Sequence, residues 1–197
     1  MRFSSSPRFL AVVLALAIPM LAATPPVPRP AKEFTFVDPS GKQTLLSSYK
    51  GKAVCIQFLY TTCPHCQALS KELSKVQTEL GPKGLQVLGV TFDEATPAKA
   101  AAYQRQFGVG FPVAFASRDT VLSYLGLSVM DRFVVPQVVV IDKKGVIQAQ
   151  SDPMGTPKLQ DPAYLTQFIG GLLKEPAGGG KIVATPKAKP ADAKKTD

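Results

Sequence analysis

Residues 53–66 read Ala53-Val54-Cys55-Ile56-Gln57-Phe58-Leu59-Tyr60-Thr61-Thr62-Cys63-Pro64-His65-Cys66. The first eight are nearly all apolar, the pattern of a strand buried on both faces in the middle of a sheet. From Pro64 a second pattern begins: Cys66, Leu69, Leu73, Val76 and Leu80 recur at helical spacing until Gly81-Pro82 stops them. A buried strand thus hands over to an amphipathic helix, with a Cys-x-x-Cys at the junction. Cys63 falls at the helix N-terminus, where unpaired N–H groups and the helix dipole favour an anion. The thiolate is the species that attacks a disulfide. Cys66 lies one turn on, within the apolar stripe, and is expected to be more buried and to keep its proton longer. The two are the candidate catalytic residues: Cys63 attacks or is attacked, and Cys66 resolves the mixed disulfide.

Outward from this junction the chain alternates in type. Residues 85–91 form a second buried run, and Thr96-Pro97 supplies an N-cap and first-turn proline for a helix to about Phe107. A short strand is expected at 111–115, a short helix at 119–125 and a valine-rich strand at 136–142. Lys143-Lys144-Gly145 then turns the chain, so that 146–150 pairs back as a hairpin before a closing helix at 162–173. Upstream, 34–37 and 44–46, joined through Pro39-Ser40-Gly41, make an N-terminal hairpin. The predicted class is α/β, a central mixed sheet flanked by helices. The third cysteine, Cys55, lies inside the buried strand and reads as a small core hydrophobe.

The ends differ from this body. Arg2 and Arg8, an apolar run over 9–18 and the small residues Ala22 and Ala23 form a secretory signal pattern over residues 1–23. The run is short for a membrane span, which takes roughly 20 residues, so the expected location is exported, periplasmic or otherwise extracytoplasmic, with membrane tethering if the signal stays uncleaved. Residues 24–30, with four prolines, read as an extended spacer, 31–175 as the domain, and 176–197 as a disordered basic tail. Of the formal net charge of +9, the first 23 residues carry +2 and the tail +3, leaving +4 on the rest. No basic stripe interleaved with aromatics appears in the body, which argues against a nucleic-acid partner. A single histidine removes metal sites that need two imidazoles, so neither metal nor cofactor is expected.

At Cys63-Pro64-His65-Cys66 the chain resembles the thioredoxin superfamily, and more closely its exported TlpA/ResA-like, AhpC/TSA-redoxin-type branch. The shared pattern is the N-terminal hairpin, Gly51-Lys52 before the first buried strand, the Cys-x-x-Cys helix and an inserted βαβ element, over roughly residues 31–174. The resemblance implies a thioredoxin-like fold and a thiol:disulfide oxidoreductase acting on protein thiols and disulfides, with reduction in cytochrome c maturation among its uses. It also implies a cis bond at Val135-Pro136, with Val135 offering its backbone to an extended substrate strand, and a membrane redox partner. That partner is a DsbD/CcdA-like donor if the protein reduces and a quinone-linked oxidase if it oxidises.

Two features pull apart on direction. Pro64-His65 is the dipeptide of the strongly oxidising DsbA, and a positive charge or hydrogen bond from His65 beside the Cys63 thiolate would favour the reduced protein. The 70 positions from Cys66 to Pro136 instead suit the compact insertion of the mostly reducing TlpA/ResA-like proteins. The chain also departs from the superfamily where an acid is usual: Gln57 stands six residues before Cys63, Leu69 three after Cys66, and Thr62 replaces the common tryptophan. Proton transfer then falls to water, His65, Asp93 or Glu94. A peroxiredoxin-like peroxidase would have Thr or Ser where Tyr60 stands, and a copper-handling Sco-like protein would need one more residue between the cysteines and a distant histidine.

Overall fold

The computed structural model describes residues 24–93 and 96–174. The signal reading at 1–23, Glu94 and the tail reading at 176–197 lie outside the described residues. Eight strands form one mixed sheet: β1 Arg29–Pro30, β2 Thr35–Val37, β3 Gln43–Leu45, β4 Ala53–Leu59, β5 Leu85–Thr91, β6 Val113–Phe115, β7 Gln137–Ile141 and β8 Val146–Gln150. Their order across the sheet is β1-β8-β7-β4-β5-β6-β2-β3. β4, β5 and β6 run parallel, and the remaining pairs are antiparallel. Four α-helices accompany the sheet among the described residues: α1 Pro64–Leu80, α2 Pro97–Gln106, α3 Arg118–Leu125 and α4 Pro162–Lys174. This is the α/β, thioredoxin-like architecture expected above, with the hairpin β2–β3 and the β5–α2–β6 unit in their expected places. No helix among the described residues is long and apolar enough to cross a membrane.

β4 is central, flanked by β5 on one side and β7 on the other, and all seven of its residues are buried. Because side chains alternate along a strand, Ala53, Cys55 and Leu59 enter one core layer with residues of α1, α2 and α4, while Val54, Ile56 and Phe58 enter the other with α3 and the N-terminal hairpin. Gln57 shares the parity of Cys55 and Leu59, so it lies in the layer beneath α1. That placement brings a polar side chain of the sheet to the helix carrying Cys66.

Several boundaries differ from those read in the sequence. Leu46 opens a 3-10 turn, Leu46–Tyr49, instead of ending β3. β6 begins at Val113 because Pro112 has no N–H to give the ladder, although its carbonyl still accepts from the Gly89 N–H at 2.9 Å. The Pro-rich segment, read above as an extended spacer, bends at Val27–Pro28, whose peptide is cis, and then contributes an edge strand: Arg29 pairs with Ile147 and Pro30 with Val146. Pro25 packs on Gly126, which caps α3 at φ +74; a Cβ there would run into the Pro25 ring, so both the angle and the contact require glycine.

Candidate active site

The site lies where β4 and β5 end and β7 begins. Cys63 caps α1: its sulfur accepts the Cys66 N–H at 3.2 Å, and Pro64 in the first turn has no amide hydrogen to satisfy. The loop before it is pinned three ways. Cys63 N–H donates to the Tyr60 carbonyl at 3.2 Å, Gln67 Nε2 to the Thr61 carbonyl at 3.0 Å, and Thr61 gives both its N–H (2.6 Å) and its hydroxyl (2.7 Å) to Asp93 Oδ2. Cys63 is half-buried, Cys66 fully buried, and Pro64 and His65 exposed.

Across from Cys63 stands the loop leading into β7. The Val135–Pro136 peptide is cis, as the resemblance implied, Pro136 is buried, and the Cys63 thiol faces the Val135 carbonyl at 3.8 Å. Gln137 holds this loop in place by donating from Nε2 to the carbonyls of Val134 (2.7 Å), Asp152 (3.1 Å) and Pro153 (3.1 Å), while Val134 N–H returns a bond to Pro153 at 2.9 Å. The structure therefore brings Cys63, Cys66, Val135 and Pro136 together, with Pro64 and His65 at the helix start beside them.

Beneath Cys66 runs a buried polar chain. Gln57 Nε2 donates to the Cys66 carbonyl at 2.9 Å, and Ser70 Oγ donates to Gln57 Oε1 at 2.8 Å. Since the serine hydroxyl has one hydrogen, the 2.8 Å contact between Ser70 Oγ and the Tyr103 hydroxyl must be donated by Tyr103. Burial pushes the Tyr103 hydroxyl up to about 12, with charges at Cys66, Cys63 and Asp93 adding to it against the Ser70 bond. Burial also raises the Cys66 thiol, helped by its hydrogen bond with Cys63 and by the charges of Cys63 and Asp93. Burial alone raises Cys55 to about 12, which suits a core thiol.

Ser70, Tyr103, Thr61 and Gln137 were not singled out in the sequence. Ser70 carried a signal: it sits four residues after Cys66 on a helix face otherwise lined by Cys66, Leu69, Leu73, Val76 and Leu80. A polar residue there needs a buried partner. On the outer side, Tyr60 packs on Phe92 (4.7 Å), Phe92 on Phe133 (6.0 Å), and Arg118 lies over Phe133 while donating to the Tyr60 hydroxyl at 2.7 Å. Among the described residues no cluster of three or more His, Cys, Asp or Glu could hold a metal ion.

With this geometry, two thiols one helical turn apart can close a disulfide or share one with a second chain. The model of the AhpC/TSA family matches residues 27–150. The thiol-disulfide oxidoreductase ResA of Geobacillus thermodenitrificans is 25% identical over 118 residues, 60% of this chain and 64% of that protein. ResA of Bacillus thuringiensis is 27% identical over 120 residues, 61% of this chain and 66% of its own. The matched part thus spans just under two thirds of these relatives. A thiol:disulfide interchange protein of the thioredoxin family from Chlorobium tepidum superposes with a TM-score of 0.61 at 23% identity, covering 76% of this chain and 99% of that one. This likeness shows a thioredoxin-like fold.

Proposed function

The chain belongs to the AhpC/TSA family, and within it we propose an extracytoplasmic thiol:disulfide oxidoreductase that exchanges disulfides with protein thiols. The observation that carries this reading is the half-buried Cys63 sulfur at the start of α1, backed by the buried Cys66 and facing the Val135 carbonyl at 3.8 Å. Cys63 forms the mixed disulfide and Cys66 resolves it. The residues beside the cis bond support a polypeptide substrate. The Val135 carbonyl, faced only by the Cys63 thiol among the described residues, suits an extended strand, and Val134 (37% exposed) and Met154 (67% exposed), linked through the Val134–Pro153 bond, offer apolar contact next to it. A peroxidase of the peroxiredoxin kind lacks support, since Tyr60 stands where that chemistry needs a small hydroxyl, and its phenol is held by a bond from Arg118.

The compact β5–α2–β6 insertion and the ResA relatives support net reduction of protein disulfides, with the apocytochrome c disulfide, reduced to its two thiols, as the substrate class and a DsbD/CcdA-like membrane donor as the source of electrons. Pro64-His65 favours a second reading, a DsbA-like oxidase served by a quinone-linked partner. Equilibrium with glutathione buffers separates them: reductase function expects the Cys63 and Cys66 couple near the thioredoxin value of about −270 mV, and a couple near the DsbA value of about −120 mV would overturn it. The same preparation tests the roles. Cys63→Ser is expected to abolish exchange and Cys66→Ser to accumulate mixed disulfides; normal exchange by Cys63→Ser would refute the mechanism.

A further inference from the structure

Asp93 follows β5, beside the loop that carries Cys63. Its Oδ2 is occupied by the two Thr61 donors, whereas Oδ1 is buried and has no hydrogen-bond partner among the described residues. A buried carboxylate oxygen without a donor is costly and asks for an explanation. Cys66 on α1 and Tyr103 on α2 both feel its charge, and Thr61, which it holds, stands two residues before Cys63. His65 is exposed at the helix start, and Arg118 on α3 is engaged with Tyr60 and Phe133. Position 57, in the layer under Cys66, holds an amide already committed to the Cys66 carbonyl and to Ser70, and position 69 holds a leucine. The Tyr103 hydroxyl gives its hydrogen to Ser70. Among the buried side chains here, Asp93 Oδ1 is the acceptor that has no hydrogen-bond partner.

We propose that Asp93 accepts the Cys66 proton when Cys66 resolves the mixed disulfide. The inference rests on the dithiol reading of Cys63 and Cys66. The step balances without a further oxidant or reductant. The Cys66 S–H proton passes to Asp93 Oδ1. The sulfur's electron pair forms the Cys66–Cys63 bond, the bond between Cys63 and the substrate sulfur breaks, and that sulfur leaves as a thiolate that takes up a proton from solvent. The substrate sulfur is reduced and the protein pair oxidised; in reverse, Asp93 returns the proton to the leaving Cys66. The rise in the Cys66 thiol gives such an acceptor something to do, because a sulfur that holds its proton attacks slowly unaided. Thr61 fixes the carboxylate through Oδ2, and this pairing tethers Asp93 to the loop two residues before Cys63.

The test uses the reduced full-length protein and dithiobis-nitrobenzoate, whose thiol product is coloured. Cys63 attack releases one equivalent and leaves a mixed disulfide; Cys66 then releases the second. Asp93→Asn, which can keep both Thr61 bonds, is expected to lower the ratio of second-phase to first-phase rate by roughly a hundredfold, the low end of what a positioned base contributes. It should also shift the second phase to higher pH, and Asp93→Glu should restore part of the ratio. An unchanged ratio, or equal slowing of both phases, would overturn the proposal, the latter because it marks a purely structural role. Release of one equivalent by the unaltered protein, as expected for Cys66→Ser, would instead overturn the dithiol reading.

Discussion

At the scale of single residues, the buried chain Tyr103–Ser70–Gln57 links α2, α1 and β4 and ends on the backbone of Cys66. Ser70 is its middle link, so Ser70→Ala strands the Gln57 carbonyl and the Tyr103 hydroxyl together. Both residues are buried, Gln57 fully and Tyr103 to 2% exposure. The expected cost is about 2 kcal/mol or more, against about 1 kcal/mol for Tyr103→Phe, which leaves the Ser70–Gln57 bond intact. Urea denaturation of the two variants and the double variant checks this: the phenylalanine change should cost less in the alanine background than alone, and strict additivity would show that no network exists. The two cysteines were legible because their spacing and junction are local properties. The network was not, since it requires the register of α1 on β4 and the placement of α2. Gln57 was visible as a departure from an expected acid, but its sequence neighbours could not name Ser70 and Tyr103 as its partners.

At the scale of elements, amphipathic α1 and the buried strands β4, β5 and β7 were readable from periodicity, and the Thr96 cap of α2 from its residue type. Elements held by distant partners were not. The two-residue β1 exists because β8 offers an edge to a proline-rich segment, and the 3-10 turn at Leu46–Tyr49 has no capping side chain of its own. Glu33 supplies one from outside, accepting the N–H groups of Ser47 at 3.0 Å and Phe34 at 3.1 Å. Burial acts to raise the Glu33 carboxyl, but the bonds from Ser47, Phe34 and Leu46 prevail and hold it below its ordinary 4.5. A carboxyl lowered by folding contributes stability that is present above 4.5 and lost as pH falls through its folded value. Because Glu33 is exposed, the contribution is expected to stay below about 1 kcal/mol. Glu33→Gln should therefore lose less stability between pH 6 and pH 3, values chosen to bracket about 4. An equal loss in both proteins would show that the acid sensitivity arises elsewhere.

At the scale of the molecule, the order of strands was the least legible feature. Hydrophobic alternation does not say that β6 pairs with the N-terminal hairpin through Val37 and Phe115, or that Pro25 closes on Gly126. What the sheet accomplishes is a division of thiols and phenols. Cys63 is at the rim, while Cys55, Cys66, Tyr103 and Tyr124 lie in the core and are all raised, with burial as the first cause. In the unfolded chain these groups lose protons from their ordinary values of 9.0 and 10.0 upward. In the folded chain they retain them, so folding binds protons over that range. Stability is full below the unfolded values and falls as pH rises toward the folded ones. Cys55, fully buried and shifted from 9.0 to about 12, isolates the effect, since it makes no part of the proposed chemistry. At a pH of about 10.5 its share amounts to about 2 kcal/mol. Cys55→Ala leaves a small void and is expected to lower stability near neutral pH. Its further loss between pH 7 and 10.5, values picked on either side of about 9, should nonetheless be smaller than that of the unaltered protein. Urea midpoints at the two pH values decide the matter: parallel losses would mean that Cys55 ionises as readily folded as unfolded, a result incompatible with its place in the middle of β4.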